Sequence, residues 1–206
     1  MKLVRLILIS TVFVFSLQMF SYSFAGDSPK ASLQTTIDAI LALLRDKSLS
    51  TSDKKEVRRE KIRALLNERF DFAEMGKRSL ANHWKERTPA EQNEFVSIFS
   101  DLLEASYIGK IEGYTNEKVT YDSEKIKSEG KYGEVETSIV TEKVDIPIYY
   151  KLINKDGKWL VYDVTIEGVS FVSTYKGQYN EIIVKNSYAK LIEQMKDKLK
   201  EVKSSL

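Results

Sequence analysis

Apolar residues recur every three or four positions through the first half of the chain, which is the spacing of one face of an α-helix. A first apolar stripe covers residues 33–44, and a second covers 62–70. A shorter helix is predicted over 72–84, and a longer one carries its apolar face over 95–107. The pattern therefore predicts four helices before residue 118.

Two of these helices carry start signals. Thr88 is expected to be the N-cap of the fourth helix, with Pro89 at the first helical position and Glu91 at the third. This is the spacing of a capping box, in which the first residue caps a backbone amide and the glutamate reaches back. Asp53 and Glu56 have the same spacing and predict a second capping box ahead of the second helix.

From residue 118 the apolar period changes to two, which is typical of β-strands. The segment 154–157, Asn-Lys-Asp-Gly, predicts a hairpin turn. Gly168 ends the last strand, and two closing helices are predicted with apolar faces over 169–183 and 188–199. The order of helices, meandering antiparallel strands and helices indicates an α+β fold in a single domain. The predicted strand segments are 119–121, 135–139, 146–152 and 159–166.

The last predicted strand, 159–166, is apolar on both faces, so we expect other elements to cover both sides of it. Strict alternation assigns its side chains to two opposite faces. One face would carry Leu160, Tyr162, Val164 and Ile166, and the other Trp159 and Val161.

The first 25 residues have the three-part pattern of a cleavable secretion signal. Two basic residues precede an uncharged apolar run over 6–20, and Ser23 and Ala25 are small residues at the −3 and −1 positions. The run is shorter than the roughly 20 residues that a membrane span needs. We therefore predict a signal peptide over 1–25 and one domain over 26–206, working outside the cytoplasm in the periplasm.

Composition narrows the classes of function. The chain has no cysteine, so it has neither a disulfide framework nor a cysteine for lipid attachment near the cleavage site. The predicted signal holds two of the 32 basic residues and none of the 30 acidic ones, so the remainder has equal numbers of each sign. This balance gives no electrostatic case for binding nucleic acid. We expect a soluble, freely diffusing monomer.

Catalysis finds little support in the sequence. The single histidine, His83, and the missing cysteines exclude a His–Cys metal cluster and a Cys–His nucleophile. Asp163 interrupts an apolar strand, and two interpretations are open. It is either an acid with a raised pKa at a reactive site or, as we favour, a structural acid bonded to a backbone amide or a nearby cation. No catalytic residue, metal ligand or cofactor is predicted.

A long, ordered set of residues resembles the MlaC family, also called toluene-tolerance auxiliary proteins. It covers almost the whole chain from residue 33 to 199. The first part comprises Arg69-Phe70-Asp71-Phe72, Met75, Leu80, Trp84, 88–92, 95–103, Tyr107 and Tyr114. The second part comprises 156–164, 166–171, Tyr175 and Leu191-Ile192.

The resemblance implies a periplasmic phospholipid carrier rather than an enzyme. Its expected partners are phospholipid, an inner-membrane ABC transporter complex with an MCE-domain subunit, and an outer-membrane lipoprotein complex. The implied fold is a strongly twisted antiparallel sheet of about four strands, wrapped by N- and C-terminal helices around a lipid cavity. Two alternatives stay open: a small enzyme that uses an Asp163–Tyr162 pair on an apolar substrate, and a ligand-free periplasmic adaptor with a filled core.

Candidate lipid-binding residues are chosen by the predicted face of each element. Val169 in particular is expected to point between the sheet and the helices. The candidates are Phe70, Met75, Phe95, Phe99, Leu103, Tyr107, Tyr150, Leu152, Tyr162, Val164, Val169, Phe171 and Tyr179.

Overall fold

A computed structural model describes residues 27–114 and 117–206. The predicted secretion signal lies outside the described residues. Six α-helices and five β-strands follow one another, with short 3₁₀ helices at Lys47–Leu49, Ser52–Lys54 and Ala81–Glu86. The helices are α1 (Pro29–Arg45), α2 (Lys55–Arg69), α3 (Phe72–Leu80), α4 (Pro89–Glu112), α5 (Phe171–Lys185) and α6 (Tyr188–Ser204). The strands are β1 (Lys118–Lys127), β2 (Tyr132–Val140), β3 (Asp145–Lys155), β4 (Lys158–Ile166) and β5 (Val169–Ser170).

The strands form one antiparallel sheet in sequence order, which confirms the predicted α+β class. The expectation was about four strands, and the fifth is the two-residue β5, which the sequence pattern assigns to a helix. Asp156 and Gly157, both with positive φ, close the β3–β4 hairpin at the predicted turn. Glycine at the second position suits this turn because it has no Cβ to clash in the left-handed region.

The sequence predicts side-chain caps at the starts of α2 and α4, and only the cap of α4 forms. At α4, Thr88 accepts a hydrogen bond from the Glu91 amide and Glu91 accepts one from the Thr88 amide, which confirms that capping box. The capping box predicted at Asp53 and Glu56 is wrong. The segment Ser52–Lys54 forms a 3₁₀ turn instead, and α2 begins after Lys54 without a side-chain cap.

The N-terminus of α1 sits directly on the sheet. Ser28 caps the helix by accepting a hydrogen bond from the Ala31 amide, and Pro29 takes the first helical position. A Cβ on Gly133 of β2 would lie only 2.7 Å from Cγ of Pro29. The missing side chain at Gly133 therefore permits this close approach, which fixes where α1 crosses the sheet.

Helices α2 and α4 are joined by ion pairs. Glu112 at the end of α4 accepts hydrogen bonds from Arg58 and Arg59, at 3.2 and 2.8 Å, and Glu104 pairs with Arg63. Burial alone would raise the pKa of the Glu112 carboxyl, but the hydrogen bonds from Arg59 and Arg58 hold that pKa below its ordinary value. These contacts hold α2 beside the C-terminal half of α4.

Glu112→Gln is expected to lower the free energy of unfolding by about 1–3 kcal/mol near neutral pH, because it removes the charge from this network. The pKa of Glu112 is lower in the folded than in the unfolded chain, so the network stabilises the fold above the ordinary pKa of 4.5. That stabilisation is lost as the pH falls through the folded-state pKa. Urea unfolding at about pH 7 and about pH 3 measures the difference between wild type and variant. A difference that stays constant between the two pH values would contradict this prediction.

Apolar side chains form two cores. One lies among helices α3 to α6 and includes Phe95, Phe99, Tyr179 and Leu191. The other lies between α1 and the sheet and includes Leu33, Val135, Leu152, Trp159, Val161 and Val164. Phe70 and Phe171 pack against both cores. The two cores are therefore joined at these side chains, and Met75 and Leu103 of the helical core also border the space above the sheet.

Candidate functional site

An apolar cavity of about 320 Å³ lies between α1, the sheet and the C-terminal half of α4. Its volume falls at the lower end of the range for small-molecule sites. Its apolar lining comes mainly from leucine, isoleucine and aromatic side chains. The lining residues are Leu33, Thr36, Ile37, Ile40, Leu41, Leu44, Leu66, Phe70, Phe72, Met75, Leu103, Glu104, Tyr107, Lys110, Ile111, Tyr114, Val119, Thr137, Ile139, Ile148, Tyr150, Val164, Ile166 and Phe171.

Helix α1 forms one wall of this cavity. Near its N-terminus Leu33 is fully buried against the sheet. Further along, Ile37, Ile40, Leu41 and Leu44 are only half-buried, although all four lie on the apolar stripe. Large aliphatic side chains gain stability by leaving water, so this incomplete burial marks space that an apolar ligand can fill.

Strands β2, β3 and β4 form the opposite wall. Tyr150 and Val164 face the cavity from the middle of the sheet, and Ile139, Ile148 and Ile166 lie nearer one end. Burial raises the pKa of the Tyr150 hydroxyl to about 12. The Tyr150 phenol therefore stays uncharged at neutral pH, which keeps this wall apolar.

Among the described residues, the cavity lining reaches solvent at Lys110, beside the ends of α1 and α4, and we call this end the opening. Tyr107 stacks on Phe171 at a centroid distance of 4.5 Å, and Lys110 is the exposed member of the lining. Arg45, the last residue of α1, donates a hydrogen bond of 2.8 Å to the Tyr114 hydroxyl across the opening. Aromatic residues with polar tips suit such a position because one end is apolar and the other reaches water.

The MlaC protein family model matches residues 34–197, which is most of the chain. The chain belongs to the MlaC family. This confirms the resemblance drawn from the sequence.

One relative and one solved structure are similar to this member of the MlaC family. The intermembrane phospholipid transport system binding protein MlaC of Haemophilus influenzae is 24% identical over 202 residues, covering 95% of this chain and 94% of that protein. The solved structure of a phospholipid-binding protein from Ralstonia solanacearum, in complex with a phospholipid, superposes with a TM-score of 0.75 at 21% identity. That superposition covers 85% of this chain and 99% of the other, and it shows that the fold is shared.

In this MlaC-family chain the structure brings seven of the thirteen predicted site residues together around the cavity. They come from three helices, two strands and the short link between α2 and α3, as expected for a space between a sheet and its helices. Their contact with lipid stays a prediction. The seven are Phe70, Met75, Leu103, Tyr107, Tyr150, Val164 and Phe171.

Three predicted residues lie in the helical core instead. Phe95 and Phe99 stack on each other at 5.7 Å, and Tyr179 packs edge-on against Phe95 at the same distance. All three are buried among α3 to α6 and do not line the cavity. These placements differ from the expectation because α4 packs on other helices over its N-terminal half and faces the cavity only from Leu103 onward.

Leu152 and Tyr162 also lie outside the cavity. Leu152 faces the same side of the sheet but is fully buried in the core beneath the start of α1. A β-bulge in β4 leaves Tyr162 without a partner, because Lys151 pairs with Asp163 and Leu152 pairs with Val161. The bulge turns Tyr162 to the other side, where Arg78 lies 4.2 Å above its ring.

Val169 does not point into the cavity. It pairs with Ile166 across a tight turn and is 57% exposed. Val169 follows a turn whose two residues, Glu167 and Gly168, both have positive φ, and this turn carries it past the lining residue Ile166. The placement expected for Val169 is therefore corrected.

Sequence reasoning missed the whole α1 wall and the isoleucines of the sheet. The α1 stripe is visible in the sequence, but helical periodicity is the same whether a stripe packs on a core or borders a cavity. The missed lining residues include Ile37, Ile40, Leu41, Leu44, Ile111, Val119, Ile139, Ile148 and Ile166.

Asp163 is buried on the side of β4 opposite Val164, away from the cavity. Its carboxylate accepts hydrogen bonds from the Ser170 hydroxyl and the Val172 amide, at 2.9–3.1 Å, and pairs with Lys151 at 3.3 Å. These contacts fit the structural role favoured for Asp163, because they fasten the start of α5 to the sheet.

Two properties complete the description of residues 27–114 and 117–206. No helix among them is both long enough and apolar enough to cross a lipid bilayer. Within the same ranges, no group of three or more histidine, aspartate or glutamate side chains is placed to hold a metal ion.

Proposed function

We propose that this chain binds a phospholipid in the cavity and carries it through the aqueous periplasm between the two membranes. The observation that carries the proposal is the cavity itself, whose lining is apolar over almost all its area and which opens at one end. Acyl chains would lie between α1 and the sheet. The headgroup would remain at the opening, beside Tyr107 and Tyr114.

The physical need for a carrier is large. Two acyl chains contain about 30 methylene groups, and exposing each to water costs about 0.8 kcal/mol, so exposure of both chains costs more than about 20 kcal/mol. A cavity with the apolarity of a bilayer removes this cost during transit. It also keeps transfer in either direction nearly balanced, so the direction must come from partner proteins.

The similar proteins support the same function. The Haemophilus influenzae relative is named as the binding protein of an intermembrane phospholipid transport system, and it matches this chain along nearly its full length. The Ralstonia solanacearum protein of the same fold holds a phospholipid in its solved structure. Both names agree with the chemistry of the cavity.

The proposal also names the membrane complexes that give lipid to this chain and take lipid from it. Phospholipid would pass between an outer-membrane lipoprotein complex and an inner-membrane ABC transporter complex with an MCE-domain subunit, which maintains the lipid asymmetry of the outer membrane. The periplasmic location rests on the predicted secretion signal. Such transfer makes and breaks no covalent bond, so it requires no catalytic residue.

Organic extraction tests the proposal directly. The full chain is expressed in a Gram-negative host, purified from the periplasmic extract without detergent, extracted with chloroform and methanol, and measured by mass spectrometry. About one phospholipid per chain is the expected yield if both acyl chains of one lipid fill the cavity. A folded protein that yields no phospholipid, and takes none up from vesicles, would contradict the proposal and favour an adaptor with a filled core.

A further inference from the structure

We propose that Arg45 and Lys110 form a cationic rim that binds the phosphodiester group of the lipid and favours headgroups of net negative charge. This inference rests on the proposed phospholipid-binding function. It assigns headgroup preference to two side chains at the opening of the cavity.

Lys110 is the first part of this cationic rim. It lies on the last turn of α4, lines the cavity and is exposed to solvent. Its ammonium group lies 5.0 Å from the centre of the Tyr107 ring. The salt bridges of the described residues do not include Lys110. A cation held over an aromatic face keeps its charge available to an anion.

Arg45 is the second part. Its guanidinium donates to the Tyr114 hydroxyl at 2.8 Å and lies 5.7 Å from the Tyr114 ring centre. No carboxylate of the described residues lies within ion-pair distance of it. Both cations therefore lie against tyrosines that line the cavity, Arg45 against Tyr114 and Lys110 against Tyr107.

The other arginines between residues 27 and 114 are already engaged. Arg69 donates to the Thr36 hydroxyl and the Trp159 carbonyl inside the fold. The remaining five are paired with glutamates: Arg58, Arg59, Arg63, Arg78 and Arg87.

Two glutamates of α4 near the opening are engaged as well. Glu104 lines the cavity but is held by Arg63, and Glu112 is held by Arg58 and Arg59. The cationic rim therefore keeps a positive charge that these glutamates do not cancel. A phosphodiester is the anionic group that a glycerophospholipid with an esterified headgroup would carry to this position, and arginine suits it because its planar fork matches two oxygens.

The choice of headgroup follows from the same charges. Phosphatidylglycerol has a net charge of about −1 because its phosphodiester is ionised and its glycerol is neutral. Phosphatidylcholine has a fixed cation that two neighbouring cations would repel. We expect wild-type protein loaded from equimolar vesicles of the two lipids to hold roughly fivefold more phosphatidylglycerol than phosphatidylcholine. The expected ratio is modest because exposed ion pairs contribute little free energy to binding.

The test compares wild type with Arg45→Gln/Lys110→Gln. Protein is incubated with the mixed vesicles at about 20 mM salt, where exposed charges are weakly screened, and its lipid is extracted and measured. The variant is expected to hold both lipids in nearly equal amounts, because the contacts that remain are with the acyl chains, which the two lipids share. Arg45→Lys/Lys110→Arg keeps both charges and is expected to keep the preference.

Lys198→Gln/Lys200→Gln is the matched control, because it removes the same charge from the exposed surface of α6. It is expected to behave as wild type. An unchanged lipid ratio in Arg45→Gln/Lys110→Gln would overturn the cationic rim while leaving the proposed function intact. Wild-type protein that takes up neither lipid would overturn both.

Inorganic phosphate distinguishes a lipid headgroup from a free anion. Phosphate added at about 10 mM, matched in ionic strength with chloride, is expected to leave the lipid ratio unchanged, because it has no acyl chains to hold it at the opening. If phosphate abolished the preference and chloride did not, the rim would be a site for free phosphate, and the assignment to the lipid headgroup would fall.

Discussion

Ile139→Glu is expected to yield a folded protein that holds at least about tenfold less phospholipid than wild type. Ile139 lines the cavity from β2 and is half-buried, near the end where the cavity opens. A carboxylate there would lie among the acyl chains, and removing a charge from water is costly. Water can reach the position when lipid is absent, so the charge excludes lipid rather than unfolding the chain.

Circular dichroism and lipid extraction on the same sample measure this outcome. Val184→Glu is the matched control, since Val184 on α5 is 70% exposed and lies outside the cavity. It is expected to keep a full lipid load. A folded Ile139→Glu variant with the same load as wild type would show that lipid does not contact Ile139. An unfolded variant would show that this part of the molecule is a packed core.

Local chemistry made part of the fold predictable. The Thr88–Glu91 capping box needs only neighbouring atoms, and it forms where the spacing predicts. The β3–β4 turn likewise depends on two residues that tolerate positive φ, Asp156 and Gly157. The box expected at Asp53 fails because the pattern fixes the spacing of donors and acceptors but not the backbone that must bring them together.

The β4 bulge could not be predicted from alternation. It inserts one residue, Tyr162, so that Val161 and Val164 lie on the same side of the sheet although their numbers differ in parity. A one-residue shift moves every later side chain to the other face. This is why Tyr162 was expected beside Val164 in the cavity and lies instead under Arg78.

The cavity residues depend on packing between distant elements. A single apolar face of α4 runs from Phe95 to Tyr107, but its first half is covered by other helices and its second half borders the cavity. Periodicity identifies the face and says nothing of what covers it. The same is true of α1, whose stripe is covered by the sheet at Leu33 and borders open space at Leu44.

Asp163→Asn is expected to lower the free energy of unfolding by about 2–4 kcal/mol while leaving the lipid content unchanged. The buried carboxylate accepts from Ser170 and from the Val172 amide in the first turn of α5, and it pairs with Lys151. An amide can accept through one oxygen only, and its NH₂ group would face the donors of Ser170 and Lys151. Urea unfolding followed by circular dichroism gives the change in stability.

The lipid content of Asp163→Asn separates a structural acid from a functional one. The Asp163 carboxylate lies on the side of β4 opposite the cavity-lining Val164, so its loss changes how α5 is fastened and not what the cavity contacts. Asp197→Asn, at an exposed position on α6, is the control and should change neither property. If Asp163→Asn kept full stability but abolished turnover of an apolar substrate, the buried acid would be reactive, and the enzyme hypothesis for Asp163 and Tyr162 would replace the carrier.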